Sequence, residues 1–196
     1  MIHSNKESGF GAYGKTATAK GLLPVQDAFL DIVEHMAYYG EMLVVITGPM
    51  GSGKTTLANA LIDRREEPEE GILITADMML GMPALIKRIA AQLNISVPDS
   101  LLEAREALRA EVQRRVIQGK SFLVVIDQAE LLDAATLNDI AHFSLVFPQG
   151  ISVVLLGLTG FETQLRDCPV QAQVNVQPIP PFSETDAQML VQQIYS

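Results

Sequence analysis

The sequence predicts an α/β fold in which a parallel sheet of about five strands is covered by helices on both faces. Short uninterrupted apolar runs, such as 122–126 and 151–156, alternate along the chain with segments of helical periodicity. Strands of this kind are buried on both sides, as in parallel sheets joined by helical crossovers. The composition agrees, since 48% of the 196 residues are hydrophobic and 19% are charged, which is typical of a globular protein.

Three regions follow from the pattern along the chain. Residues 1–21 are rich in glycine and polar side chains and predict a flexible N-terminal arm. Residues 22–182 predict the α/β domain, beginning with a helix from Pro24 to Gly40. Residues 183–196 predict one further helix that begins at Ser183 and is still running at the end of the sequence. The predicted strands are 42–47, 72–75, 122–126, 151–156 and 174–176, and the helices between them are 56–63, 83–93, 100–118 and 134–147.

Polar residues at the predicted boundaries support these elements. Ser100 and Glu103 have the spacing of a capping box, and Asp133 can cap the next helix. Charges of alternating sign along 103–115 predict a solvated, salt-bridged helix face, from which Arg114 and Arg115 could reach a neighbouring subunit's nucleotide. The glutamates within 63–71 predict a solvated turn.

One glycine-rich segment carries the clearest chemical signal. Residues 48–55 read GPMGSGKT and fit G-x-x-x-x-G-K-[ST], between a predicted strand and a predicted helix. Glycines let backbone N–H groups approach phosphate oxygens, and the following helix directs its positive end at them. The segment therefore predicts a nucleoside triphosphate site. The predicted contacts are Gly48, Pro49, Met50, Gly51, Ser52, Gly53, Lys54, Thr55 and Thr56.

Three side chains are expected to act on the phosphates and on a magnesium ion. Lys54 is expected to reach the β- and γ-phosphates, as a catalytic as well as a binding residue. Thr55 can offer its hydroxyl to Mg²⁺, which takes few protein oxygens and keeps several waters. Asp127 ends an apolar strand well downstream and can hold the same ion through its water shell.

Charge and composition exclude several other classes. The net charge of −9 lacks the basic footprint of a DNA- or RNA-binding protein, so we expect no direct contact with nucleic acid. Cys168 is the only cysteine, which rules out a disulfide framework within this sequence. The sequence shows neither a signal peptide nor an apolar run near the roughly 18 residues of a membrane span. We expect a soluble, cytoplasmic protein.

Together, these motifs and their order resemble the P-loop NTPases of the AAA+ ATPase class. Within that class, the segments TGPMGSGKTTL, VVIDQAELL, VVLLGLTGFETQL and PIPPFSETDAQ resemble the bacterial ExeA or general-secretion-pathway-A type. The resemblance covers about residues 22–196. It implies that 183–196 are the start of a truncated helical lid.

The sequence departs from this family at the position directly after the metal-binding aspartate. Family members carry a glutamate there, which orients or activates the attacking water, whereas this chain has Gln128. A neutral amide cannot accept a proton from water, so hydrolysis should be slowed while binding survives. Glu130 is the candidate substitute, provided that the turn after Asp127 brings its carboxylate round to the site.

Two further departures concern the γ-phosphate. The resemblance implies a polar residue after the fourth strand that senses this phosphate; Leu158 cannot serve, and Thr159 is the candidate. It also implies a trans-acting arginine shortly before the last strand, where Arg166 is the nearest and a weak candidate. Such an arginine contributes about 10³–10⁵ in rate where it acts, so its absence predicts a very slow enzyme.

The functional hypothesis is an ATP-binding domain with slow or partner-stimulated hydrolysis. The resemblance implies a role in driving or regulating assembly of a bacterial envelope-associated complex, a protein partner, and a homo-oligomer of the full-length protein. A place on the cytoplasmic side of the inner membrane, through residues beyond 196, stays open. The alternative is an ATP-dependent binding or scaffold module that does not hydrolyse ATP. A small-molecule kinase is disfavoured because residues 157–196 are acidic and poor in arginine.

Overall fold

The structure of the protein, a computed structural model, describes residues 22–39, 43–67, 70–96, 100–146, 150–165 and 174–195. The predicted arm at 1–21 lies outside these residues, as do Gly40, Arg166 and Cys168. Everything said below of the fold concerns the described part of the chain.

This part of the chain contains five strands and six α-helices. The strands are β1 (Leu43–Gly48), β2 (Gly71–Thr75), β3 (Phe122–Asp127), β4 (Ile151–Leu158) and β5 (Val174–Pro178). The helices are α1 (Pro24–Tyr39), α2 (Lys54–Asp63), α3 (Met82–Gln92), α4 (Leu101–Ile117), α5 (Ala134–Val146) and α6 (Glu184–Tyr195). Two 3₁₀ turns, Ala129–Leu131 and Phe161–Leu165, follow β3 and β4 and were not predicted from the sequence.

The five strands form one parallel sheet in the order β2-β3-β4-β1-β5. Every strand therefore ends at the same edge, as the predicted fold class requires. β1 lies between β4 and β5, with Gly48 paired in register with Leu158. β3 lies on the far side of β4, with Asp127 paired with Thr75 of β2. The predicted α/β fold is confirmed.

The two faces of the sheet are covered by different helices. On β1, Val44 and Ile46 pack into a cluster with residues of α1 and α2, whereas Leu43 and Val45 pack into a cluster with residues of α3, α4 and α5. Alternate residues of β3 and β4 divide between the same two clusters. Because both faces of the three central strands β1, β3 and β4 are buried, these strands are apolar at nearly every position, which explains their long hydrophobic runs.

The predicted caps form at three helix starts. The Asp133 carboxylate accepts the Thr136 N–H at 2.7 Å, and the Ser100 hydroxyl accepts the Glu103 N–H at a longer 3.5 Å. Ahead of α6, the Ser183 hydroxyl accepts the Asp186 N–H at 3.1 Å. Each bond satisfies a donor that the first turn of a helix leaves free.

The expectation of a solvated turn after α2 is wrong for Arg64. Its side chain is only 1% exposed and forms ion pairs with Asp27, Asp31 and Glu34 of α1. The neighbouring Arg65 also pairs with Glu34. Helices α1 and α2 are therefore joined by a group of charged side chains, which apolar periodicity cannot predict.

The expectation of a solvated α4 face is wrong for Arg115. This residue is 8% exposed, and its Nε donates to Glu111 Oε1 at 2.9 Å. A buried, paired guanidinium on this face is not available to a neighbouring subunit. Arg114 agrees with the prediction, since it is exposed and forms two hydrogen bonds with Glu111.

No helix in the described residues is both long enough and apolar enough to cross a membrane. Helix α6 differs from the others because most of its described side chains face solvent, including Met189 and Val191. It follows β5 through a segment with prolines at 178, 180 and 181.

We expect Arg64→Ala to lower the free energy of unfolding by about 2–3 kcal/mol, because three carboxylates lose a charged hydrogen-bond partner. Urea denaturation followed by circular dichroism measures this change. Lys120→Ala, which removes the surface ion pair with Glu67, is the control and should leave the midpoint nearly unchanged. Equal losses of unfolding free energy in the two variants would show that the buried ion pairs of Arg64 stabilise the fold no more than a surface ion pair does.

A second prediction concerns acid pH. The hydrogen bond from Arg114, helped by that from Arg115, lowers the pKa of Glu111 from 4.5 to about 2. A lowered pKa in the folded state adds stability above pH 4.5, and this contribution is lost as the pH falls through about 2. The stability difference between wild type and Glu111→Gln should therefore shrink over that range. Urea midpoints at several pH values measure it, with Glu106→Gln on the same helix as control; a pH-independent difference would contradict the assignment.

Candidate functional site

The phosphate loop, residues 48–53, leaves β1 at the edge of the sheet where all strands end. Gly51 and Gly53 have φ angles of 78° and 85°, in the left-handed region that glycine adopts without strain. Gly53 is also the cap residue of α2, so the left-handed turn leads directly into the helix. The loop therefore presents backbone N–H groups and the positive end of α2 to the same space.

The loop is folded around the Lys54 side chain. Its Nζ donates to the carbonyl oxygens of Gly48 at 2.9 Å and of Pro49 at 2.8 Å. These bonds hold the ammonium at the base of the loop, next to the open cleft described below. A positive charge fixed in this way can attract phosphate oxygens without a large rearrangement.

Asp127 meets the phosphate-loop helix directly. Its Oδ2 accepts the Thr55 hydroxyl at 2.7 Å, and its Oδ1 accepts the Gln128 N–H at 2.9 Å. The carboxylate is only 2% exposed, so both oxygens are held in a fixed direction. The two sequence motifs, 72 residues apart, are thus in contact through the two side chains predicted to bind the metal.

The turn after Asp127 brings Glu130 back to the site. Gln128 adopts a left-handed conformation (φ 59°), and the 3₁₀ turn Ala129–Leu131 follows it. Glu130 Oε2 then accepts the Leu158 N–H at 3.2 Å, at the end of β4. The turn therefore brings the Glu130 carboxylate to the edge of the sheet at which Lys54 lies. Its part in hydrolysis stays a prediction.

These residues surround one open cleft with a volume of about 470 Å³, a size suited to a small-molecule ligand. Lys54, Thr55, Asp127, Gln128 and Glu130 are all among the residues that line it. The complete lining is Met50, Gly51, Gly53, Lys54, Thr55, Thr56, Asp127, Gln128, Glu130 and Leu158.

Four predicted residues are placed differently. Gly48, Pro49 and Ser52 belong to the loop but do not line the cleft. Thr159 is exposed, and Leu158 takes the place beside the cleft. The backbone N–H of Thr159 donates to the Gly48 carbonyl at 3.3 Å, so this residue meets the loop through its main chain. A sensing role for the Thr159 side chain stays a prediction.

The donor set fits a magnesium ion. The Thr55 hydroxyl and the Asp127 carboxylate supply hard oxygens that already touch each other, and Mg²⁺ takes its other ligands from water and phosphate. No group of three or more His, Cys, Asp or Glu residues that could enclose a metal occurs in the described ranges. The fit is therefore to an ion that is bound together with a phosphate ligand.

Sequence reasoning missed two residues that contact the phosphate loop. Gln26 of α1 is 6% exposed; its Oε1 accepts the Leu23 N–H at 3.0 Å, and its Nε2 lies 3.3 Å from the position of a Cβ built on Gly53. The polar side chain of Gln26 on an otherwise apolar face of α1 was the sequence feature that could have indicated this contact. Ile179 lies against Gly48, and nothing in the local sequence pattern pointed to it.

Comparison with known proteins identifies the family of this chain. The model of the AAA domain family matches residues 37–165, more than half of the chain. No curated protein sequence matches the chain. Many solved structures are similar in fold, and three of them are described below.

The ORC2 protein of Aeropyrum pernix in its ADP form has a TM-score of 0.62 at 17% identity, over 87% of this chain and 51% of that one. Cdc6p of Pyrobaculum aerophilum has a TM-score of 0.60 at 17% identity, over 92% and 51%. The Aeropyrum pernix ORC1 protein in complex with DNA has a TM-score of 0.56 at 19% identity, over 89% and 50%.

The chain spans about half the length of these solved structures. At such low identity the likeness concerns the fold alone, which is that of a P-loop AAA+ protein. The sheet, the phosphate loop with its aspartate partner, and the match over residues 37–165 agree on one conclusion: the chain belongs to the AAA domain family.

Proposed function

We propose that the protein is an ATP-binding AAA+ domain that hydrolyses ATP slowly or on stimulation by a partner. The observation that carries the proposal is the convergence of Lys54, Thr55, Asp127 and Glu130 on one cleft at the carboxyl edge of the sheet. Ligands of open α/β sheets bind at this edge. The solved relatives include an ADP form, which supports a nucleotide as the ligand.

Each of these residues has a distinct role in the proposal. The loop amides and the Lys54 ammonium bind and orient the phosphates. The Thr55 hydroxyl and the Asp127 carboxylate would hold Mg²⁺, which neutralises phosphate charge when bound. The Thr55–Asp127 hydrogen bond keeps these two oxygens together before any ligand arrives. Thr159 is proposed as the γ-phosphate sensor, although it reaches the loop through its backbone.

Glu130 is proposed as the group that accepts the proton of the attacking water. Gln128 lines the cleft but carries an amide, which cannot take a proton at neutral pH. Glu130 lines the same cleft, and its carboxylate accepts the Leu158 N–H. Hydrolysis by this displaced carboxylate would be slow, which is consistent with a domain whose turnover depends on a partner.

The second candidate is a binding module that uses ATP without turnover, and Gln128 is the observation that favours it. An amide directly after the metal-binding aspartate would keep ATP bound and uncleaved unless Glu130 replaces it. In such a module the nucleotide would order the loop and create a surface for a partner. Both candidates require the same binding site, and they differ only in phosphate release.

The cellular process in which the domain acts is proposed from its sequence resemblance. The sequence resemblance to the ExeA type supports assembly of a bacterial envelope-associated complex, with a protein partner, homo-oligomerisation of the full-length protein and a cytoplasmic location. The solved relatives are from archaea and a fly, and some are in complexes with DNA. The net charge of −9 favours a protein partner over nucleic acid for this chain.

Titration calorimetry and phosphate release test the two candidates together. We expect wild type to bind Mg-ATP and Lys54→Ala to lose this binding, because the loop loses its fixed positive charge. Lys87→Ala on α3, whose side chain lies outside the cleft, is the matched control and should bind like wild type. Phosphate release above the Lys54→Ala background supports the ATPase; binding without release supports the module. A folded wild type that takes up no ATP would refute both.

The role of Glu130 predicts a specific kinetic result. Glu130→Gln should lower the rate of phosphate release by about 10²-fold or more while Mg-ATP affinity is kept, because only proton acceptance is lost. Gln128→Glu should raise the rate. Glu162→Gln is the matched control, since the Glu162 carboxylate accepts the Gly160 N–H at 2.9 Å yet lies outside the cleft. Equal rates in Glu130→Gln and Glu162→Gln would remove Glu130 from the reaction.

A further inference from the structure

Gly48 is the residue on which the geometry of the phosphate loop depends. It is the last residue of β1 and the first of the loop. Its carbonyl accepts both the Lys54 ammonium at 2.9 Å and the Thr159 N–H at 3.3 Å. A displacement of Gly48 would therefore move the lysine that is proposed to hold the phosphates.

The space around Gly48 is filled by two other residues. A Cβ built on Gly48 would lie 2.6 Å from Ser52 Oγ and 3.1 Å from Ile179 Cδ1. Ser52 belongs to the loop itself, so Ile179 is the contact from outside it. This isoleucine also packs against the apolar cluster that contains Leu57 and Leu61 of α2. Its side chain thus lies between the start of the loop and the core.

The backbone of Ile179 is held in place independently of its side chain. Its N–H donates to the Thr47 carbonyl at 2.8 Å, which extends the β1–β5 pairing by one residue. Pro178 precedes it and Pro180 follows it, and proline restricts both its own φ angle and the preceding residue. Ile179 is therefore presented to Gly48 from a stiff segment.

We propose that Ile179 is a positioning residue for nucleotide binding, which acts by holding Gly48 and, through the Gly48 carbonyl, Lys54. This inference rests on the proposed function of the site. Ile179 does not line the cleft, so it has no part in the chemistry. Truncation would leave a gap beside Gly48 and loosen the loop, which would then have to be ordered when the ligand binds.

Calorimetric titration with Mg-ATP tests the proposal on the whole protein. Ile179→Ala should weaken binding by about 5- to 20-fold because the loop loses its preorganisation. Ile179→Leu, which keeps a δ-methyl group and the same side-chain volume beside Gly48, should restore affinity to within about twofold of wild type. Steady-state phosphate release should show the change in KM, with kcat nearly unchanged.

Ile62→Ala is the matched control. Ile62 is also partly buried against the same apolar cluster, but it lies near the other end of α2 and contacts Gly71. The Ile62→Ala variant should lower the urea midpoint by about as much as Ile179→Ala does. Unlike Ile179→Ala, it should leave the affinity for Mg-ATP unchanged. Hydrogen exchange provides a second readout, because amides at 50–54 should exchange faster in Ile179→Ala only.

The outcomes separate this inference from the proposed function. If wild type binds Mg-ATP and Ile179→Ala binds equally well, Ile179 is not a positioning residue, and the nucleotide site stands. If Ile62→Ala loses as much affinity as Ile179→Ala, the effect is one of general stability and the proposal is wrong. If wild type itself does not bind, the proposed function fails first and this inference fails with it.

Discussion

The hydrogen bond between the Thr55 hydroxyl and the Asp127 carboxylate is the contact on which the site depends. It joins the first turn of α2 to the end of β3, although β1, from which α2 follows, is separated from β3 by β4. A parallel sheet brings both strand ends to one edge, where the phosphate loop leads from β1 to the start of α2 and places the Thr55 hydroxyl beside the carboxylate. The arrangement is thus a consequence of the fold and not of local sequence alone.

The turn after β3 positions two carboxylates through its backbone conformation at Gln128. The left-handed backbone at Gln128 directs its N–H to Asp127 Oδ1, and the 3₁₀ turn then carries Glu130 to the end of β4. A left-handed conformation costs a non-glycine residue about 1–2 kcal/mol, which the hydrogen bonds on either side of the turn offset. One short turn therefore fixes the Asp127 carboxylate and brings the Glu130 carboxylate to the end of β4.

The sequence was informative where a local pattern has one physical meaning. The glycine–lysine–threonine motif, the apolar strand ending in Asp127 and the buried strands of the parallel sheet could all be predicted for this reason. Arg64, Arg115, Gln26 and Ile179 could not, because their roles depend on neighbours that only the folded chain supplies. A charged residue in a charged segment predicts solvent exposure, and nothing local reveals that three carboxylates of α1 surround Arg64. The two 3₁₀ turns were missed because three to five residues carry no periodicity.

Strand β5 forms one edge of the sheet and, in the described chain, pairs only with β1. An open edge can recruit a strand from another molecule and start aggregation. Two features of β5 reduce this risk. The strand carries the polar residues Asn175 and Gln177, and the Gln177 side-chain amide donates to Asn175 Oδ1 at 2.6 Å. It ends at Pro178, which has no N–H to donate to an added strand. Pro178, which helps to stiffen the path to α6, therefore also protects the open edge of the sheet from the addition of a strand from another molecule.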